Sequence, residues 1–291
     1  TAAMKKEKEM LISIKNALIE GEKVLRFNDI ESPRLESELL LAFILGIPRF
    51  HLVLNNSECI SQIQMSRFMD LIVKKTFRIP TAYLMGFQEF YGRKFQVSPA
   101  VLIPRPETEE LVEWILKEKK SCKNVLDLCC GSGCIGITLS LETKVDNLFM
   151  SDISSSALEV AKINEKILGN NTTVQFIQGN LFENITVNSF DLIVSNPPYV
   201  LEHEYALLDK EVKNFEPGLA LLVENPEQFN WRLVSGAWEH LQNEGTFFME
   251  TNPVFLESLS GMLKNSGFDE ILVQQDLSQK NRFIRAVKRR Q

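Results

Sequence analysis

The stretch LDLCCGSGCIGITL, residues 126–139, decides how this chain is read. Its first residues are apolar and suit the end of a buried strand, which the chain leaves at Asp127. A glycine-rich turn follows, and an apolar run near Ile135 opens a helix. Gly131, Gly133 and Gly136 stand in the order G-x-G-x-x-G. Glycines at such a turn let the backbone approach a ligand closely. Two ligand classes use a loop of this kind, dinucleotides and S-adenosyl-L-methionine. Asp152 ends the next strand, where one carboxylate can take both hydroxyls of a ribose. Both ligand classes carry an adenosine, so Asp152 does not choose between them.

Working outward, strands and helices alternate from Asn124 onward. NVLDL, NLFMSD, VQFIQG, FDLIVS and TFFMET read as strands, and ILVQQ and RFIRAV as two last ones. Helical periodicity covers 135–141, 156–168, 226–242 and 254–265. Such alternation predicts an α/β fold, a Rossmann-like, mostly parallel seven-stranded sheet with helices on both faces.

The fourth strand runs into SNPPYV, residues 195–200. Two prolines exclude a helix and cannot donate to a sheet ladder. Ligands of open α/β sheets bind outside the carboxyl ends of strands where strand order reverses. If strands one and four adjoin there, the glycine loop and this corner face one crevice. A planar NH2 group is a poor nucleophile because its lone pair is delocalised. The Asn196 side-chain oxygen and the Pro197 carbonyl can accept its two N–H groups and aim the nitrogen at an electrophilic methyl. Pro198 stiffens the corner and Tyr199 can pack on the planar group. Methyl transfer to an NH2 group explains the corner, and hydride transfer does not.

The N-terminal part has a different pattern. Leu11, Ile14 and Leu18 share one helical face, with Gly21 read as a stop. Ser32 is read as a cap with Pro33 at the first helical position, and Gly46 and Pro48 end that run. Ser61 and Gln64 have capping-box spacing. Residues 1–79 are thus expected to form a small helical bundle, 80–104 a connecting β-hairpin around Gly92, and 105–291 the cofactor-binding domain. The bundle carries no catalytic constellation and is expected to dock a protein substrate.

The formal charge of -6 over 291 residues argues against a dedicated nucleic-acid binder. The basic run KNRFIRAVKRRQ is read as a solvated tail. No apolar run is long enough for a membrane span. TAAMKKEKEM lacks the apolar core of a signal peptide, and the residues before Met4 are set aside. Five cysteines make no disulfide framework, and Cys129, Cys130 and Cys134 match no common zinc spacing, so no metal and a cytoplasmic location are expected.

The chain resembles the peptide chain release factor glutamine methyltransferases from about residue 10 to 287. The resemblance rests on SPRLESELLLAFILGI, on the run from Pro80 through IPRPETE to Trp114, on VLDLCCGSGCIGITL, on SNPPYV and on FEPGLALL. IPRPETE together with NPPY is the specific combination. The resemblance implies S-adenosyl-L-methionine as methyl donor, S-adenosyl-L-homocysteine as product, and bacterial-type release factors as protein substrate. The methylated group would be the glutamine of their Gly-Gly-Gln loop. It implies a cofactor site of Asp127, Cys129, Cys130, Gly131, Ser132, Gly133, Asp152, Asn180, Leu181 and Asn196. Asn196, Pro197, Pro198 and Tyr199 would hold the glutamine, in a monomer with no direct nucleic-acid or membrane contact. It also implies that strands one and four are neighbours. The sequence departs from the family pattern at Cys129, where Gly is common, at Asn180, where an acid is usual, and at Thr251-Asn252 after the fifth strand. A ribosomal-protein glutamine methyltransferase, a DNA or RNA adenine amino-methyltransferase, a dinucleotide oxidoreductase and a catalytically dead binding module are the alternatives, the last opposed by intact Asn196 and Tyr199.

Overall fold

The computed structural model describes residues 11–169 and 171–289. The readings of TAAMKKEKEM and of the last two residues of the basic run lie outside the described residues. The chain divides into two compact units. One is built from the chain up to Gly86 together with Lys210–Phe215, and the other from Phe87–Asp209 and the chain from Glu216 onward.

The first unit holds β1 (Ile12–Ser13), α1 (Ile14–Phe27), α2 (Pro33–Leu45), α3 (Arg49–Leu54), β2 (Cys59–Ile60), α4 (Gln62–Thr76) and α5 (Thr81–Met85). Ile14, Ala17, Leu18 and Leu25 of α1 meet Leu40 and Leu41 of α2 and Phe68 and Ile72 of α4 in one core. Leu11 lies outside the helix and is exposed. Gly21 does not stop α1, which runs two turns further. The residue is glycine because α1 passes close to the Phe68 ring. Ser32 does not cap either: its φ is 49° and its side chain makes no capping bond, while Pro33 at the first turn suffices. The Ser61–Gln64 capping box is present. Buried Lys75 donates to both Glu211 oxygens at 2.7 Å and lies 3.5 Å from Glu36, so its charge is compensated.

In the second unit β3 (Phe87–Phe90) and β4 (Arg93–Gln96) form a hairpin. Its two-residue turn has positive φ at both Tyr91 and Gly92. Next come α6 (Pro106–Glu118), β5 (Ser121–Leu128), α7 (Cys134–Glu142), β6 (Lys144–Asp152), α8 (Ser155–Leu168), β7 (Thr173–Gln178) and β8 (Phe190–Ser195). Two short helices, α9 (Glu202–Tyr205) and α10 (Lys210–Phe215, of the first unit), precede α11 (Pro226–His240), β9 (Leu241–Glu250), α12 (Leu256–Asn265), β10 (Phe268–Gln275) and β11 (Asn281–Lys288).

The seven-stranded sheet has the order β10-β11-β9-β8-β5-β6-β7, with β11 antiparallel to its neighbours. From β5 the chain winds outward through β6 and β7, then returns to place β8 on the other side of β5. The switch point is therefore between β5 and β8, as the crevice reading requires. Side chains alternate across the sheet. Val125 of β5 and Phe248 of β9 face the core shared with α6 and α7. Leu126, Leu128, Phe247 and Met249 face the core shared with α11 and α12. The basic C-terminal run is not a solvated tail within the described residues. Most of it is β11, an inner strand, and buried Lys288 donates to the Trp238 and Leu241 carbonyls at the end of α11.

A methyl group on Gly21 would stand 2.6 Å from Cζ of Phe68, a ring fully buried in the first unit. Gly21→Ala is expected to lower unfolding stability by about 1–3 kcal/mol through overpacking, although alanine is the better helix former by about 1 kcal/mol. Urea denaturation measures the balance, and a variant as stable as the parent would show that the ring yields.

Candidate active site

The loop between β5 and α7 turns through three left-handed residues, Cys129 (φ 60°), Gly131 (φ 53°) and Gly133 (φ 76°). A left-handed position suits glycine and costs other residues roughly 1–2 kcal/mol, which is the physical meaning of the Cys129 departure. Nothing lies within 4 Å of a Cβ built on Gly131, so its backbone is open to an incoming group. Two side chains hold the loop. Asp152 accepts from Gly131 N–H at 2.9 Å and from Ser154 N–H at 2.9 Å. Buried Asn164 of α8 donates to the carbonyls of Ser132 and Gln96 and accepts from Gln96 N–H, tying the loop to the hairpin. Burial raises the Asp152 carboxyl above its ordinary value, and the backbone N–H groups act in the opposite direction.

The Asn196–Tyr199 corner leaves β8 beside that loop. Ser195 is opposite Leu128 in the parallel register, and its hydroxyl donates to the Leu128 carbonyl at 2.7 Å. Asn196 Nδ2 lies 3.2 Å from Oγ1 of Thr108 on α6. That hydroxyl is 2.8 Å from Oε2 of Glu250, the last residue of β9. The Tyr199 hydroxyl is 3.0 Å from Oε1 of the same carboxylate. Glu250 faces α6 because it lies two residues beyond Phe248, whose ring meets Trp114 edge-on at 5.2 Å. Burial raises the Glu250 carboxyl, while Thr108, Tyr199 and Arg282 stabilise its ionised form. Burial, then the Glu250 charge, raises the Tyr199 phenol, which stays protonated.

The segment after the corner is stitched back over it. Val200 N–H donates to Leu221 O and Val223 N–H to Val200 O. Glu216, almost fully buried, accepts from Ile103 N–H at 3.0 Å and from Arg105 at 2.6 Å. IPRPETE and FEPG are thereby joined at one carboxylate.

These elements enclose a cavity of about 550 Å³. Cys129, Cys130, Gly131, Ser132, Asp152, Asn180, Leu181, Asn196 and Pro198 line it, with Thr108 and Arg105. Asp127, Gly133, Pro197 and Tyr199 do not. Asp127 is fully buried against α7, where its Oδ2 accepts from Gly136 N–H at 2.8 Å, so it shapes the loop from behind. Pro197 is buried, and Tyr199 turns its hydroxyl to Glu250. Sequence reading missed Thr108, Glu250, Asn164 and Glu216 as parts of the site. Thr108 and Glu216 stood inside quoted motifs, but nothing in the chain order pairs them with partners more than a hundred residues away. Burial pushes the Cys134 thiol up to about 12 and raises Cys129 and Cys130 as well, so all three are neutral thiols. Among the described residues no cluster of three His, Cys, Asp or Glu side chains could hold a metal.

Comparison with known proteins agrees with this geometry. Residues 107–215 match the Methyltransferase small domain family, and residues 16–86 match the PrmC N-terminal domain family. The release factor glutamine methyltransferase of Leptospira interrogans is 41% identical over 94% of this chain and 97% of its own length. That of Koribacter versatilis is 40% identical over 82% and 86%. A solved methyltransferase from Pyrococcus furiosus superposes with a TM-score of 0.52 at 16% identity, covering 77% of this chain and all of its own, which shows the shared fold.

Asp127 supplies a test of the buried loop support. Burial, with Asp152 adding to it and Gly136 N–H opposing, raises its carboxyl to about 7 from an ordinary 3.8. The folded protein thus keeps a proton that the unfolded chain releases at lower pH. The resulting contribution to stability is complete below 3.8 and is lost as pH rises to about 7. The stability difference between the parent and Asp127→Asn should therefore fall across that window in urea titrations at several pH values. A difference independent of pH would show that Asp127 ionises normally.

Proposed function

The chain belongs to the release factor glutamine methyltransferase family, and on that premise we propose that it transfers a methyl group from S-adenosyl-L-methionine to the side-chain amide nitrogen of the glutamine in the Gly-Gly-Gln loop of bacterial-type release factors. One observation carries the reading. The open glycine loop and the Asn-Pro-Pro-Tyr corner leave adjacent parallel strands and contribute Gly131 and Asn196 to one cavity.

The residues present fit an adenosine-containing donor. Gly131 leaves its backbone uncovered, Asp152 offers unused lone pairs toward ribose hydroxyls, and Cys129, Cys130, Ser132, Asn180 and Leu181 supply walls. Gly133 and Asp127 act by shaping the loop. S-adenosyl-L-methionine, when bound, supplies an electrophilic methyl and is left as S-adenosyl-L-homocysteine. The protein's task is to make a planar amide nitrogen attack. Asn196 Oδ1 and the Pro197 carbonyl accept the two N–H groups, orient the nitrogen and favour its pyramidal form. As the new N–C bond forms, charge develops on nitrogen, and the two oxygens stabilise it. The nitrogen becomes acidic only then, so one proton passes to water without a strong base. Pro198 lines the site, and Tyr199, hydrogen-bonded to Glu250, braces the corner from outside the cavity.

Specificity for one protein glutamine requires contacts beyond a single side chain, and specific protein interfaces bury about 1,200–2,000 Å². We assign that docking role to the helical N-terminal unit. We further propose that the reaction takes place in the cytoplasm, with the monomer as the working unit and no nucleic acid required. Among the described residues no helix is long and apolar enough to cross a membrane.

Incubation with labelled S-adenosyl-L-methionine and a purified release factor, followed by mass spectrometry, should place one methyl on the Gly-Gly-Gln glutamine. Absence of that modification overturns the proposal. Asn196→Ala should lower turnover at least about a hundredfold, the equivalent of about 2.7–4 kcal/mol, with donor affinity within a few-fold of the parent. Asp152→Ala should weaken donor binding by calorimetry at least about tenfold, because hydrogen bonds to charged groups contribute roughly 1.5–3 kcal/mol. Normal turnover in the first or an unchanged dissociation constant in the second would remove that residue from its role.

A further inference from the structure

We infer that Glu250 and Thr108 are positioning residues that fix which way round the Asn196 amide stands, so that its oxygen and not its nitrogen faces the substrate. The inference rests on the proposed role of Asn196 as acceptor of a substrate N–H. It starts from a property of asparagine. Rotating the side-chain amide by half a turn keeps its shape and exchanges an acceptor for a donor. Steric packing alone therefore cannot set its polarity.

A chain of committed protons can. The Glu250 carboxylate is nearly fully buried, and each of its oxygens faces one hydroxyl, Thr108 at 2.8 Å and Tyr199 at 3.0 Å. Both hydroxyls donate to it, Thr108 to Oε2 and Tyr199 to Oε1. Burial, the largest effect, raises this carboxyl, while the Thr108 and Tyr199 hydrogen bonds and Arg282 on β11 favour its ionised form. Thr108 has a single hydroxyl proton, and Glu250 takes it. What remains on Thr108 Oγ1 is lone pairs, and the atom 3.2 Å away on Asn196 must be a donor, Nδ2. Turning the amide over would set two acceptors against each other. Oδ1 is thus directed away from Thr108. By accepting the Thr108 hydroxyl, a carboxyl group at the end of β9 selects the polarity of a side chain at the end of β8, through a helix that touches both.

The same relay gives IPRPETE and the end of β9 a joint role. Thr108 is the threonine of IPRPETE, and Glu250 precedes the Thr251-Asn252 departure without being altered by it.

The test compares Thr108→Val, which keeps the shape and removes the hydroxyl, with Thr108→Ser and Glu250→Gln. Methyl transfer to release factor, donor affinity by calorimetry and thermal unfolding are measured for each. Loss of a buried polar partner of this kind is expected to lower kcat by about 5- to 100-fold, with KM and donor affinity within about threefold. Thr108→Ser should return kcat to within about threefold of the parent. On an Asn196→Ala background, Thr108→Val should have no further effect, because the amide it orients is gone. Parental kcat in Thr108→Val, or independent multiplication of the two effects, overturns the relay. If Thr108→Val fails to fold, Glu250→Gln decides. Its amide replaces one acceptor by a donor and should lower kcat in a folded enzyme, and parental kcat there overturns the relay. A nuclear Overhauser contact between the Asn196 Nδ2 protons and the Thr108 methyl reports orientation without turnover. It should be strong in the parent and weakened in Glu250→Gln, and its absence from the parent overturns the relay. Failure of the parent to methylate any release factor would instead overturn the proposed substrate, leaving that contact to decide the relay.

Discussion

The parallel register of β5 against β8 is the constraint on which the site depends. Leu128 stands opposite Ser195, and the serine hydroxyl closes onto the leucine carbonyl just where both strands end. Beyond that pair one chain turns into the glycine loop and the other into the proline corner. Neither loop has to reach far, since the sheet delivers both to one level. A slip of one residue would reverse every side chain of a strand. Asp127 would leave the α7 face, where Gly136 makes room for it, and Asn196 would move away from Thr108. The two cores on either side of the sheet, one with α6 and α7 and the other with α11 and α12, hold the register against such a slip.

Buried carboxylates recur around the cavity, each with its own solution. Asp127 has one backbone N–H, and burial raises its carboxyl to about 7. Glu216 has an arginine and a backbone N–H and joins two loops. Glu250 has two hydroxyls and a nearby arginine. Isolated buried charge is expensive, so each group is paired, hydrogen-bonded or neutral. The effect is a rigid rim around the cavity. A methyl transfer that relies on orientation, with no strong base, needs that rigidity more than it needs a reactive side chain. The neutral thiols of Cys129, Cys130 and Cys134 suit this, since they add bulk without competing as nucleophiles.

Local signals served well where the physics is local. The capping box at Ser61 and the two-residue turn at Gly92 are set within a few residues, and both are present. Local signals misled where a distant contact prevailed. Gly21 looked like a helix stop and is instead the place where Phe68 comes close. Ser32 looked like a cap and makes no capping bond. The C-terminal run looked solvated because of its charges, but Phe283, Ile284, Ala286 and Val287 are buried in an inner strand, with arginines paired to Asp276, Glu118 and Glu270. The family resemblance implied Asp127 in the cofactor site. The pleat turns it instead to the far face, behind α7.

By itself the sequence determined the sheet, the position of the glycine loop and the proline corner. Those follow from alternation and from glycine and proline backbone limits, all readable over short spans. Tertiary structure alone decided how the corner is armed. Thr108 and Glu250 lie 142 residues apart, and Asn196 and Thr108 lie 88 apart. Their meeting depends on α6 running antiparallel to β9 across one face of the sheet. Hydrogen-bond polarity is a property of that closed arrangement, since a proton is committed only once its acceptor is in place.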